Sequence, residues 1–244
     1  MSFVKIWNEG LLSQFTFESE NTLGILLGIC VLISIVAGYL LGSINLSIIL
    51  SSKYYKDDIR RHGSGNAGMT NVMRTYGKKM AVITFAGDFL KAVIASLIGR
   101  LLLGYYGAMI AGFFCFVGHI FPCYYRFKGG KGVVTACAMI IMTDPIVALI
   151  LLVLFVIIVA LTKYISAGSV ICLLVYPVLL HNIYSGFTGL PVLIAFAMGL
   201  LCAFAHRENL KRIFKGEENR FTFKVKDKAP KENSDGDGSG DLEG

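Results

Sequence analysis

Long apolar runs separated by short polar connections set the plan of this chain. A helix needs about 20 mostly apolar residues to cross the hydrocarbon of a bilayer, and several runs approach or exceed that length. The first extends from Leu23 to Leu50. The second, Met80 to Leu103, carries Asp88 and Lys91 in its interior, and the third, Tyr105 to Pro122, ends in Gly-His-Ile-Phe-Pro. Val133 to Thr162 is too long for one untilted crossing and is interrupted by Thr143-Asp144-Pro145. Proline breaks a helix and keeps the preceding residue out of the helical region, so this stretch predicts two helices, the first of them short. Ser169 to Leu180 and Leu190 to Ala205 bring the count to about seven, or five or six if the split stretch and the short sixth run do not all cross. The expected fold class is all-α, a polytopic helical bundle in a membrane.

Composition supports that reading. Of 244 residues 55% are hydrophobic and only 16% charged, with a mean hydropathy of +0.66, whereas an average soluble domain carries roughly a quarter charged residues. No basic segment with a short apolar core opens the chain as in a cleavable signal, and Thr-Phe-Glu-Ser-Glu-Asn precedes the first run, which is therefore expected to stay as a helix. Residues 1–22 read as an N-terminal extension, 23–220 as one membrane-embedded domain, and 221–244 as a polar, Gly-rich, acidic tail expected to be disordered.

Charge then sets the expected orientation. With seven crossings, segments 51–79, 123–132, around 163, and 206 onward share one side and hold 20 of the 23 Lys and Arg residues. Positive loops stay cytoplasmic, so the N-terminus is expected outside and the C-terminus inside a plasma membrane. The net charge of +7 belongs mostly to that face, where topology and anionic lipid account for it without nucleic acid. The six cysteines are scattered in or beside apolar runs with no C-x-x-C and read as small packing residues.

The chemistry-bearing stretches all lie on the positive side. His62 to Arg74 reads HGSGNAGMTNVMR, which matches the spacing of a dinucleotide-binding glycine loop at Gly63, Gly65 and Gly68. A dinucleotide loop needs a buried strand before it, and the preceding SSKYYKDDIRRH is charged, so that identification fails. The physics of the pattern survives: closely spaced glycines let a backbone approach a ligand, and successive N–H groups form an anion-binding concavity. Ser64, Thr70 and Asn71 add side-chain donors, and Arg74 offers a planar fork for phosphate oxygens. In the second stretch, GHIFPCYYRFKGGKGVVT from Gly118, Lys131 sits between Gly129-Gly130 and Gly132 ahead of a predicted helix. The residue after it is glycine where a P-loop has Ser or Thr, so an ATPase is excluded, but a lysine at a helix N-terminus remains an anion site. The plain alternative is a tight interhelical turn. In the third stretch, AHRENLKRIFKGEENRF, His206, Asn209 and Arg212 recur every three residues on one helical face; snorkelling basic residues are the plain alternative. Asp88 and Lys91 can pair at i, i+3, either for function or to orient their helix, while Ser166 and Ser169 begin the sixth run as cap residues or as site lining.

Together the three stretches resemble the motifs of the bacterial membrane family of acyl-phosphate:glycerol-3-phosphate acyltransferases. SGNAGMTNVMR (Ser64 to Arg74) is similar to S-G-N-x-G-A-T-N-x-x-R, GHIFPCYYRFKGGKGVVT to G-H-x-F-P-x-x-x-x-F-K-G-G-K-G-V-A-T, and HRENLKRIFKGEENR to H-R-x-N-[IL]-x-R-L-x-x-G-x-E-x-K. The likeness covers about residues 23–220 in order, and Asp88/Lys91 and KYISAGS also fit it. Met69, Val134 and Arg220 depart from the pattern without removing a charged binding group.

The resemblance implies acyl transfer from an acyl phosphate to the 1-hydroxyl of glycerol 3-phosphate at the cytoplasmic membrane face, giving 1-acyl-glycerol 3-phosphate for phospholipid synthesis. It implies no cofactor and no metal, and an upstream enzyme that makes the acyl phosphate. Ser64, Gly65, Asn66, Gly68, Thr70, Asn71, Arg74, Gly129, Gly130 and Lys131 would then bind phosphate; Asn209 and Arg212 would position glycerol 3-phosphate, Ser166 and Ser169 would line the site, and His206 is the candidate base. Thioester-using acyltransferases with a His-x-x-x-x-Asp pair are disfavoured, because the position five after each histidine is Ala67, Tyr124, Gly186 or Lys211. An organic-phosphate transporter with a one-sided anion site is the alternative.

Overall fold

The computed structural model describes residues 3–17, 19–184 and 188–220, and the regular elements among them are all helices. The expected disordered tail, 221–244, lies outside the described residues. The first apolar run is not one helix: α2 (Glu20–Ser43) stops and α3 (Leu46–Tyr55) restarts across Ile44 and Asn45. Asn45 causes the restart, because its Oδ1 accepts from the Ile48 N–H and the Ser47 hydroxyl and so caps α3. The carbonyls freed at the end of α2 find their donor in Lys91, whose Nζ lies 3.0 Å from Gly42 O and 2.6 Å from Ile44 O.

After the short α4 (Met69–Tyr76), the second and third apolar runs form α5 (Lys78–Ile120), broken at Leu103 and Gly104. The break is a reversal, since a Cβ on Gly99 would collide with the backbone of Gly107, eight residues on. In a straight helix those two positions would stand about 12 Å apart. Residues 78–102 and 105–120 are therefore antiparallel arms, and Lys91 bonds His119 across them at 2.9 Å. The N-terminal extension packs on the turn. Its helix α1 (Phe3–Glu9) sets Trp7 under the Arg100 guanidinium at 4.5 Å, and Leu11 N–H donates to Leu101 O.

The chain divides at Asp144 as the proline predicts, giving α6 (Val133–Thr143) and α7 (Pro145–Thr162). Then follow α8 (Ile165–Ile183), α9 (Leu190–Ala205) and α10 (Arg207–Phe214), the last two bent by 60° at His206. All seven apolar runs are thus helical, counting both arms of α5. By length and composition four stretches can cross a membrane: 20–55, Lys78–Tyr125, α7 and α8, with α9 and α10 as a bent fifth. With 11 residues, α6 spans only about 16 Å.

Packing follows membrane logic. Where lipid is as apolar as leucine, helices associate through close backbone contact between small residues. Gly38 and Gly42 of α2 lie against the backbone of Ala111 and Cys115 in the second arm of α5. Met109, Phe116, Met139, Tyr176, Leu180 and Met198 fill a core between that arm, α6, α8 and α9. Leu149, Leu152, Val153, Val156 and Leu161 of α7 are exposed, as a lipid-facing helix requires.

Candidate functional site

One cavity of about 470 Å³ takes residues from every positive segment. Its polar end is lined by Ser64, Asn66, Gly68, Thr70, Asn71 and Arg74 from the first stretch and by Lys131 from the second. Ser166 and Ser169 of α8, with His206 and Asn209 at the α9–α10 corner, join them; of the residues anticipated from sequence, Gly65, Gly129, Gly130 and Arg212 do not line it. Below them it continues as a groove between α6, α7 and α8, lined by Val133, Cys137, Ile140, Ala148, Leu151 and Phe155 among others. A polar end bearing Arg74 and Lys131 and an apolar trough therefore share one space.

Two helices aim their N-termini at the polar end, α4 behind Gly68 and α6 behind Gly132, and neither receives a side-chain cap. An uncapped helix start presents N–H groups and the positive end of its dipole. The side chains of Ser64, Thr70 and Arg74 make no hydrogen bond among the described residues, which leaves them free for a ligand. Lys131 Nζ donates to Asn209 Oδ1, which ties the second stretch to the third. Burial pulls the lysine down to about 8, with Glu218 opposing and Arg212 and Arg74 adding to the fall. His206 is buried, lines the cavity and holds its Nδ1 2.9 Å from Cys202 O; donation there leaves Nε2 as the acceptor.

Five of the expected binding residues do other work. The side chain of Asn71 is consumed within its own loop. Nδ2 donates to Ile59 O, His62 O and Asn66 O at 2.9–3.1 Å, and Oδ1 accepts from Ser64 N–H at 3.0 Å. It holds the loop in shape and has no donor left for a ligand. Gly129 and Gly130 spend their N–H groups on Ile120 O and His119 O. Any Cβ on Gly130 would strike the His119 ring, so these glycines serve close packing and not anion contact. Gly65, at φ +69°, makes the turn before α4 and does not line the cavity. Arg212 does not line it either; its Nε pairs with Glu218 Oε2 at 2.8 Å.

Glu218 is the residue that sequence reasoning left out. Its side chain is only 7% exposed and gathers Asn209 Nδ2 (2.6 Å), Ser166 Oγ (3.0 Å) and Arg212 Nε. Burial pushes its pKa up, but these donors outweigh burial and hold it below the usual glutamate range. A charge argument for a phosphate site does not select a carboxylate, although the Glu of G-x-E in the third motif marked it. Asp88 and His119 also reach the cavity. Lys91 is 2.9 Å from Asp88 Oδ1 while capping α2, so the intramembrane pair joins the bundle's packing to the site.

The chain has clear relatives among known proteins. A family model described as glycerol-3-phosphate acyltransferase matches residues 32–216. The glycerol-3-phosphate acyltransferase of Thermoanaerobacter pseudethanolicus is 43% identical over 190 residues, 78% of this chain and 94% of that one. Its counterpart in Finegoldia magna is 40% identical over 183 residues, 75% and 91% of the two chains. The crystal structure of PlsY (YgiH), an integral membrane glycerol 3-phosphate acyltransferase, in its glycerol 3-phosphate form superposes with a TM-score of 0.73 at 34% identity. The match covers 79% of this chain and 96% of that one, and the lysophosphatidic acid form gives 0.70.

Proposed function

This chain belongs to the glycerol-3-phosphate acyltransferase family of membrane enzymes of phospholipid synthesis, and from that premise we propose that its acyl donor is an acyl phosphate. The acceptor is the 1-hydroxyl of sn-glycerol 3-phosphate, and the products are 1-acyl-glycerol 3-phosphate and inorganic phosphate. The observation that carries the proposal is the composite cavity, in which two uncapped helix starts with Lys131 and Arg74 open onto an apolar groove. A lipid chain ending in a phosphate anhydride needs both halves.

In this reading the donor's phosphate lies on the N-termini of α4 and α6, with Ser64, Thr70, Arg74 and Lys131 around it and its chain in the groove. Glycerol 3-phosphate sits against His206 and Asn209. Its hydroxyl oxygen attacks the acyl carbon, the new ester C–O bond forms, and the anhydride C–O bond breaks with its electron pair leaving on phosphate. Donors that hold the growing phosphate charge lower this barrier, and the activated anhydride needs no covalent enzyme intermediate. The hydroxyl proton has two acceptors in reach of this geometry, His206 Nε2 and a free oxygen of the donor phosphate. Because the charge pattern of the sequence puts 20 of 23 Lys and Arg residues on the side that carries the three motifs, the site is assigned to the cytoplasm, where the enzyme that makes acyl phosphate supplies it.

Purified protein in detergent should release phosphate from hexadecanoyl phosphate only when glycerol 3-phosphate is added, and hexadecanoyl thioester should not substitute. Equal use of the thioester would overturn the donor assignment. Glu218→Gln keeps the shape but weakens the clamp on Asn209, Arg212 and Ser166. It is expected to raise KM for glycerol 3-phosphate about tenfold or more, with a smaller change in kcat, since charge-assisted bonds contribute about 1.5–3 kcal/mol.

A further inference from the structure

One turn beyond the lining of the apolar groove lies a polar cluster that none of those lining residues supplies. α6 and α7 are joined by Asp144 alone, and the groove they line runs away from that residue along both. Val133 and Val159 line its open end, and Ile140 and Ala148 its deep end. On the third wall, α8, the deepest lining residues are Cys172 and Leu173. One turn beyond Ile140 and Ala148 lies Asp144, and one turn beyond Cys172 and Leu173 lies Tyr176. The two meet: the Asp144 carboxylate, 1% exposed, accepts from the hydroxyls of Tyr176 and Tyr105, both at 3.1 Å. Beside them Arg100 Nη1 donates to Met142 O at 3.0 Å.

We infer that this Asp144–Tyr176–Tyr105 cluster is the floor of the acyl groove and sets the chain length of the donor, an inference that rests on the acyl-phosphate reading above. A chain terminus that pushed further would have to break both phenol–carboxylate bonds, and a methyl group cannot replace them. An uncompensated buried carboxylate is strongly unfavourable, so the floor resists where an apolar floor would repack. Ala148 is the smallest side chain next to it and leaves the last space above it. From Val159 to Ala148 is 11 residues, or about 16 Å of helix. An extended chain of tetrahedral 1.5 Å bonds advances ~1.3 Å per carbon, so the groove takes about a dozen methylenes.

The test is kcat/KM for acyl phosphates of ten to eighteen carbons, by phosphate release. Ala148→Leu raises the floor and should lower the hexadecanoyl-to-decanoyl ratio about tenfold or more, a misfit methylene costing 10-fold upward in a closed pocket. Ala148→Val, a gentler filling, should move the ratio the same way by less. Tyr176→Phe keeps the ring, frees one carboxylate bond and should raise the octadecanoyl-to-tetradecanoyl ratio at least about threefold. Leu149→Phe, at the same depth on the 62% exposed face of α7, should leave every ratio alone. Parental ratios in Ala148→Leu, Ala148→Val and Tyr176→Phe would overturn the ruler. Failure of the parent reading has a different signature, namely no phosphate release at any chain length in the unmodified protein.

Discussion

Lys131→Ala is expected to cut kcat/KM about 10²- to 10³-fold, the size of effect seen when one charge-stabilising donor is removed from an acyl-transfer site. Lys131 is the ammonium at the start of α6, and its bond to Asn209 joins two segments of the site. Lys131→Arg is also expected to lose most activity, because a planar fork cannot occupy a position bonded as a compact point charge. Retention of activity by the arginine variant would reduce the site to a general basic patch. Acidity provides a second readout. Burial lowers this lysine to about 8, so the free protein carries the cation below that pH and loses it as pH rises through it. In the unmodified protein kcat/KM should therefore fall about tenfold from pH 7 to pH 9, and the residual activity of Lys131→Arg should lack that limb.

The second large effect concerns stability. Asn71→Ala removes the partner of three loop carbonyls and of the Ser64 N–H in a side chain that is 1% exposed. Each buried polar group left unpaired costs about 1–3 kcal/mol, and a total of about 3 kcal/mol is expected for the loop, with activity lost because Ser64 and Thr70 lose their positions. Asn71→Asp should be no better, since a carboxylate would face carbonyl oxygens without N–H groups to offer. Thermal midpoints in detergent separate this from a ligand-binding role: a contact with substrate would raise KM and leave the midpoint unchanged. Such a result would return Asn71 to the binding set, where its place in the first motif put it.

That contrast marks how far the chain can be read without coordinates. Asn71 stands among donors in a glycine-rich anion motif, and only its burial reveals that its four bonds close on the loop. Gly129 and Gly130 have the flexibility an anion nest requires, yet their N–H groups return to the end of α5. Lys91 and Asp88 are legible as a pair at i, i+3, but the carbonyls of Gly42 and Ile44 that Lys91 caps come from a helix break some 47 residues earlier in the chain. Glu218 stood in the third motif but its role did not show, because its task is to hold three donors and not to meet an anion. In contrast, Ser64, Thr70, Arg74, Lys131, His206 and Asn209 were each visible in motifs and do meet at one cavity.

Local rules were sufficient for whatever depends on neighbours along the chain. Hydrophobic run length determined the helices, Pro145 the separation of α6 from α7, and the three motifs the family and most of the polar side chains that line the cavity. The tertiary structure alone decided the break at Asn45, the reversal at Gly104, the work assigned to Asn71 and Glu218, and the floor of the groove at Asp144. Each of these depends on which partners the folded chain brings together, within one loop for Asn71 and across the bundle for Asp144. A buried polar atom takes its role from whichever of those partners satisfies it.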